Sequence, residues 1–167
     1  KFYKVGSGDL TAYPILAELC KRGKPILLST GLSTLSEVVK TLKFIRTQNK
    51  IYNKNSQISL LQCTSSYPTA DNEVNLNVIE SLKKFTNLNV GYSHHNQGDL
   101  ALISAYILGA QILEFHFTDS RKGKRFRDHK ISLTPAETKN LINKIKRINL
   151  FRGKKKKLPT KSEIESK

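Results

Sequence analysis

Short apolar runs punctuate the first two-thirds of the chain, and each halts at polar residues able to do chemistry. Phe2 to Val5 stops at Gly6-Ser7-Gly8-Asp9, and Pro25 to Leu28 at Ser29-Thr30-Gly31. Ile58 to Leu61 stops at Gln62-Cys63-Thr64-Ser65-Ser66-Tyr67. Val90-Gly91-Tyr92 leads into Ser93-His94-His95, and Ile112 to Phe115 into His116. A helical pattern follows each run. The alternation predicts strands over 2–6, 25–29, 58–63, 89–93 and 111–117. It predicts helices over 12–22, 35–47, 74–85, 98–108 and 135–150. Near-continuous apolarity suits strands covered on both faces. The strand-to-strand spacing of about 20–35 residues suits βαβ units. The fold class is therefore α/β, built of parallel βα units, and ligands of such arrays sit at the carboxyl ends of the strands.

Local signals support these boundaries. Thr34 to Glu37 and Thr134 to Glu137 each read as a capping box, the second with Pro135 at the first helical position. Gly23 and Gly109 stand where left-handed C-caps are needed. The helix over 35–47 gathers Leu35, Val38, Val39, Leu42 and Ile45 on one face and sets Lys40, Lys43 and Arg46 outside. The loops 64–73 and 118–134 are long for βα connections, which marks that face as functional. A complete (β/α)8 barrel takes about 250 residues. Five βα units in 167 residues predict part of a barrel or a small open sheet. The chain opens on a strand, and a half barrel has two unpaired strand edges. The expectation is that upstream residues or another chain cover them.

The net charge of +16 changes this picture less than its size suggests. Residues 1–120 carry 12 Lys/Arg and 9 Asp/Glu, a net of +3; residues 121–167 carry 17 and 4, a net of +13. The excess belongs to the last loop, last helix and tail, where Lys154 to Lys157 reads as a solvated linker rather than a nucleic-acid surface. A positive surround also suits an anionic small substrate. Cys20 and Cys63 have no metal or redox spacing, so both read as reduced thiols of a cytoplasmic protein. The most apolar stretch, 100–117, is broken by Gly109, Gln111, Glu114 and His116, which predicts a helix followed by a buried strand rather than a membrane span.

The candidate chemistry lies at the strand ends. His95 and His116 end successive strands about 4.8 Å apart, close enough to share one divalent metal; the alternative is a hydrogen-bonded pair without metal. Lys4, inside an apolar strand, faces a cavity to form a Schiff base or neutralise an anion, or else reaches solvent. Ser7, Ser29, Ser65 and Ser93 follow strands and suit either anion binding or turn chemistry. Glu114 precedes His116 by two and shares its face. It would orient the metal site, act on a sugar hydroxyl, or pair with Lys4.

Five segments in this order resemble the sialic acid synthase family, the N-acetylneuraminate synthases with their legionaminate and pseudaminate relatives. They are Lys4 to Thr11, Leu28 to Gly31, Gln62 to Thr69, Gly91 to His95 and Glu114 to Thr118, and the resemblance covers about residues 1–150. It implies strands four to eight of a TIM (β/α)8 barrel, with 151–167 as a basic linker toward a small antifreeze-like domain. The family condenses phosphoenolpyruvate with an N-acylated amino-sugar aldehyde and water, giving a nine-carbon 2-keto acid and phosphate. Residue by residue, the resemblance makes His95 and His116 ligands of a divalent metal, Mn2+ or Mg2+. Lys4, Ser7, Ser29, Ser65 and Ser93 match positions that hold phosphoenolpyruvate. Lys4 becomes an electrostatic anchor, since the family forms no Schiff base. Tyr67 and Asp128 match positions near the sugar, and Glu114 an acid in the same pocket.

The sequence departs from the family pattern at His94, where Asp is usual, at Gln62, where His is common, and at Ser65, where Asn occurs. The loop from Arg121 to Asp128 is more basic than the common proline-glycine version. A glutamate and a lysine of the family's first three strands have no counterpart here, nor does an arginine supplied by a partner subunit. The complete polypeptide is expected to be a homodimeric cytoplasmic enzyme. The alternative is a non-catalytic barrel fragment that binds or assembles.

Overall fold

The computed structural model describes residues 1–166, so Lys167, the last residue of the predicted linker, lies outside the described residues. Five strands form one parallel sheet in sequential order: β1 (Tyr3–Val5), β2 (Ile26–Ser29), β3 (Ile58–Cys63), β4 (Asn89–His94) and β5 (Leu113–Phe115). Helices α1 (Tyr13–Lys21), α2 (Leu35–Gln48), α3 (Val78–Thr86) and α4 (Leu100–Ile107) connect them. After β5 come a short α5 (Arg127–Ile131), α6 (Pro135–Arg152) and a short α7 (Lys161–Glu165). Every predicted strand is present.

Side-chain alternation divides the sheet into two chemical faces. Val5, Ile26, Leu28, Ile58, Leu60, Val90 and Tyr92 join Leu16, Val38, Leu42, Ile45, Ile79, Leu82 and Leu102 in one core between sheet and helices. The other face carries Lys4, Ser29, Cys63, Ser93 and Glu114. That face is concave. A flat sheet would put β1 and β5 four steps of about 4.8 Å apart, beyond the joint reach of two side chains. Yet Lys4 Nζ on β1 lies 3.4 Å from Glu114 Oε2 on β5. The sheet is therefore an arc, five parallel strands of a half-barrel.

The helix ends follow the local chemistry. Thr34 and Thr134 accept from the backbone of Glu37 and Glu137, whose carboxylates accept from the threonine N–H groups in return. Thr160 and Glu163 form a third capping box, on α7. Gly23 (φ 62°) and Gly109 (φ 91°) take the left-handed conformation just past α1 and α4.

Four expectations need correction. The helix expected over 74–85 is a single 3-10 turn at Asp71–Glu73 followed by α3, with left-handed Asn75 between them. Leu35 is exposed and Thr41 is buried instead, because Thr41 Oγ1 donates to the Leu10 carbonyl at 3.1 Å. Arg46 is partly buried rather than outside. The last strand is half-buried, not buried, because β5 has a neighbour on one side only.

Candidate functional site

The register explains how distant residues converge. Cys63 pairs with Ser93, and Ser93 with Glu114, across three adjacent strands. Two residues further along the same face come His95 and His116. Their rings therefore become neighbours, with centroids 5.3 Å apart. Tyr67, on the long loop after β3, packs on both, at 4.1 Å from His95 and 5.8 Å from His116. Arg127, at the start of α5, stacks its guanidinium over Tyr67 at 4.5 Å.

The β1–β3 side of the same mouth is a nest of donors. Lys4 Nζ donates to Ser29 Oγ at 2.9 Å, and the Gly31 N–H donates to Ser7 Oγ at 3.0 Å. Space is tight at Gly31. A Cβ would stand 2.5 Å from Ser65 Oγ and 2.8 Å from Ser7 Oγ. The two hydroxyls and the Gly31 amide thus crowd one spot. Gly31→Ala is expected to push them apart and weaken binding of a bound anion about 10–100-fold, the worth of one or two charge-assisted hydrogen bonds. A titration with inorganic phosphate checks this, with unchanged affinity as the contrary result.

A cavity of about 450 Å³ joins the two halves, lined by Lys4, Ser7, Ser29, Ser65, Tyr67, Ser93, His95, Glu114, His116 and Arg127, with Cys63 among them. Asp128 stands behind it, with Oδ2 3.6 Å from His116 Nδ1. All ten residues singled out from the sequence thus lie in or against one site.

Electrostatics distinguishes the histidines. Burial pulls His95 down, but its contacts with the Cys63 thiol (3.7 Å) and the Thr64 carbonyl (2.8 Å) outweigh this and leave its pKa raised. Burial dominates at His116 and lowers it, against the pull of Asp128. Burial raises Cys63, yet contacts with His95, Ser7 and Ser93 bring its pKa below the usual thiol value. His94 points to the helix side. It is buried, its ring nitrogens have no hydrogen-bond partner among the described residues, and burial drives its pKa down to about 4. It is neutral at physiological pH and takes no part in the cavity.

A divalent metal is testable on the donor set. The Thr64 carbonyl engages His95 Nδ1, so Nε2 is the nitrogen left to face a cation. Asp128 stands on the Nδ1 side of His116 in the same way. Two imidazoles fit a partial coordination shell. No group of three His, Cys, Asp or Glu side chains among the described residues could complete it, so substrate or water oxygens would have to.

Two contributors escaped the sequence argument. Cys63 carried no spacing signal, although its pairing opposite Ser93 follows from strand alternation. Arg127 lay within a loop noted for its length and its total charge, with nothing to single out that one cation.

Comparison with known proteins agrees with the fold. The NeuB family model matches residues 1–157. The chain is 40% identical to the N,N'-diacetyllegionaminic acid synthase of Campylobacter jejuni, over 98% of this chain and 48% of that protein. It is 33% identical to the human N-acetylneuraminate-9-phosphate synthase, over 91% of this chain and 41% of the relative. The N-acetylneuraminic acid (sialic acid) synthetase of Leptospira borgpetersenii, solved with citrate, superposes with a TM-score of 0.83 at 31% identity, covering 98% of this chain and 55% of that one. The chain thus spans about half the length of the curated relatives it matches. Its half-barrel, the five motifs at its rim and the family match together make it a member of the NeuB family of sialic acid-type synthases.

Proposed function

We propose that the complete polypeptide containing this chain condenses phosphoenolpyruvate with an N-acylated amino-sugar aldehyde and water, forming a nine-carbon sialic-acid-type 2-keto acid and phosphate. The observation that carries this is the shared cavity, which brings a nest of anion-holding donors and a histidine pair to one mouth. Lys4 with Ser7, Ser29, Ser65 and Ser93 would hold the phosphoenolpyruvate carboxylate and phosphate. Glu114 keeps the Lys4 ammonium turned inward. Fixing the enolpyruvate carbon against the acceptor would contribute to the rate by proximity and orientation. His95 and His116 would hold Mn2+ or Mg2+, whose Lewis acidity would polarise the acceptor carbonyl. Tyr67 would wall the acceptor side, while Asp128 would position His116. Residues 151–167 would lead toward a further small domain, and the assembled enzyme would be a cytoplasmic homodimer. No helix among the described residues is long and apolar enough to cross a membrane.

Phosphate release from phosphoenolpyruvate, by the complete polypeptide with Mn2+ or Mg2+ and an N-acylmannosamine-type sugar, tests the reaction. The expected product is a nine-carbon 2-keto acid identified by mass. Absence of product with every acceptor would favour a non-catalytic barrel that only binds or assembles.

A further inference from the structure

We propose that Arg127 sets acceptor specificity, selecting an acceptor that carries an anionic group, phosphate or carboxylate, at the end away from its aldehyde. This rests on the condensation proposed above and names its acceptor class. Arg127 differs from the other cations of its loop in lining the cavity, and two of those others are already engaged. Arg121 is taken up by the Glu137 carboxylate and the Ser132 carbonyl. Lys124 is taken up by Asp119. Lys4, across the cavity, is shared between Glu114 and Ser29. Arg127 alone among the loop cations lines the cavity, and it makes no hydrogen bond among the described residues. Its nearest carboxylate oxygen, Asp128 Oδ1, is 3.6 Å from Nε, too far for a hydrogen bond.

The stack on Tyr67 fixes where those free donors stand. Tyr67 packs in turn on His95, so the guanidinium lies one ring away from the histidine pair, on the acceptor side. The nest of Ser7, Ser65 and Gly31 lies toward β1–β3, so phosphoenolpyruvate's own charges have partners elsewhere. A six-carbon acceptor with its aldehyde at the histidines is long enough to bring its far end past the edge of Tyr67. A phosphate or carboxylate there would meet a planar fork preorganised for bidentate pairing. A neutral hydroxyl would leave the guanidinium with only the Asp128 carboxylate, 3.6 Å away and not hydrogen-bonded. The competing role, in which Arg127 only steadies Tyr67 through a cation–π contact, is separable because it takes no account of acceptor charge.

The test compares kcat/KM of the metal-loaded complete polypeptide for a neutral N-acylhexosamine, its 6-phosphate and its 6-carboxylate. The wild type is expected to favour one of the charged acceptors, and which one identifies the anion. Arg127→Met should lower kcat/KM for that acceptor about 10–100-fold more than for the neutral one, and Arg127→Lys should recover part of the preference. Equal losses on all three acceptors, or a wild-type preference for the neutral sugar, would overturn the proposal. If no acceptor turns over, the condensation itself fails, and calorimetric binding of the 6-phosphate and 6-carboxylate decides separately. At least tenfold weaker binding by Arg127→Met supports the anion site; equal binding, or none by the wild type, overturns it.

Discussion

His116→Ala in the complete polypeptide is expected to lower both manganese affinity and condensation rate by more than about 100-fold. Groups that merely position a metal ligand are worth about 10–100-fold, so loss of the proposed nitrogen ligand should exceed that range. The site offers little compensation, since no third His, Cys, Asp or Glu completes a metal-holding group among the described residues. Calorimetric titration with Mn2+ reads the affinity directly, without recourse to turnover. His94→Asn provides the contrast. His94 is next in sequence to His95 but faces the helices, and its substitution should alter metal affinity by less than about threefold, a fraction of 1 kcal/mol. Full metal affinity in His116→Ala would remove the histidine pair from the proposed mechanism.

Gly91→Ala should be the most damaging single-methyl change in the sheet. The added Cβ would stand 2.3 Å from the Ile112 carbonyl oxygen, 2.6 Å from Leu61 Cδ2 and 2.7 Å from Ile112 Cβ. Backbone blocks one side and a buried leucine the other, so no flexible side chain can yield. The same Ile112 carbonyl accepts from the Tyr92 N–H at 2.8 Å, and relieving the clash would break that link. Overpacking of this kind costs about 1–3 kcal/mol, and the rigid neighbours here argue for the upper end. A fall in the urea midpoint at unchanged slope measures it. Because β4 carries Ser93 and leads to His95, manganese affinity should drop as well. An unaltered midpoint would mean that β4 and β5 are less closely apposed than described.

The sequence was most informative where one pattern governs many residues. Strand existence and order follow from apolar runs and their spacing. The convergence of His95 and His116 follows from a period of two on adjacent parallel strands. Helix starts were legible because Thr34 and Thr134 leave a four-residue signature. Illegible features depended on tertiary partners. Thr41 is polar and reads as surface, yet the Leu10 carbonyl provides its acceptor. Asn75 interrupts the expected third helix by a left-handed backbone that no apolar pattern announces. The role of Arg127 depends on which loop cations find carboxylates, and α5, which carries it, has too few residues for helical periodicity to show.

The Lys4–Glu114 contact joins the first and last strands of the arc. Its two charges cancel only while the strands curve toward one another. Any event that flattened the arc would unmask an ammonium at one end and a carboxylate at the other. How much of the Lys4 charge an incoming anion would meet is therefore tied to how tightly the strands are bent.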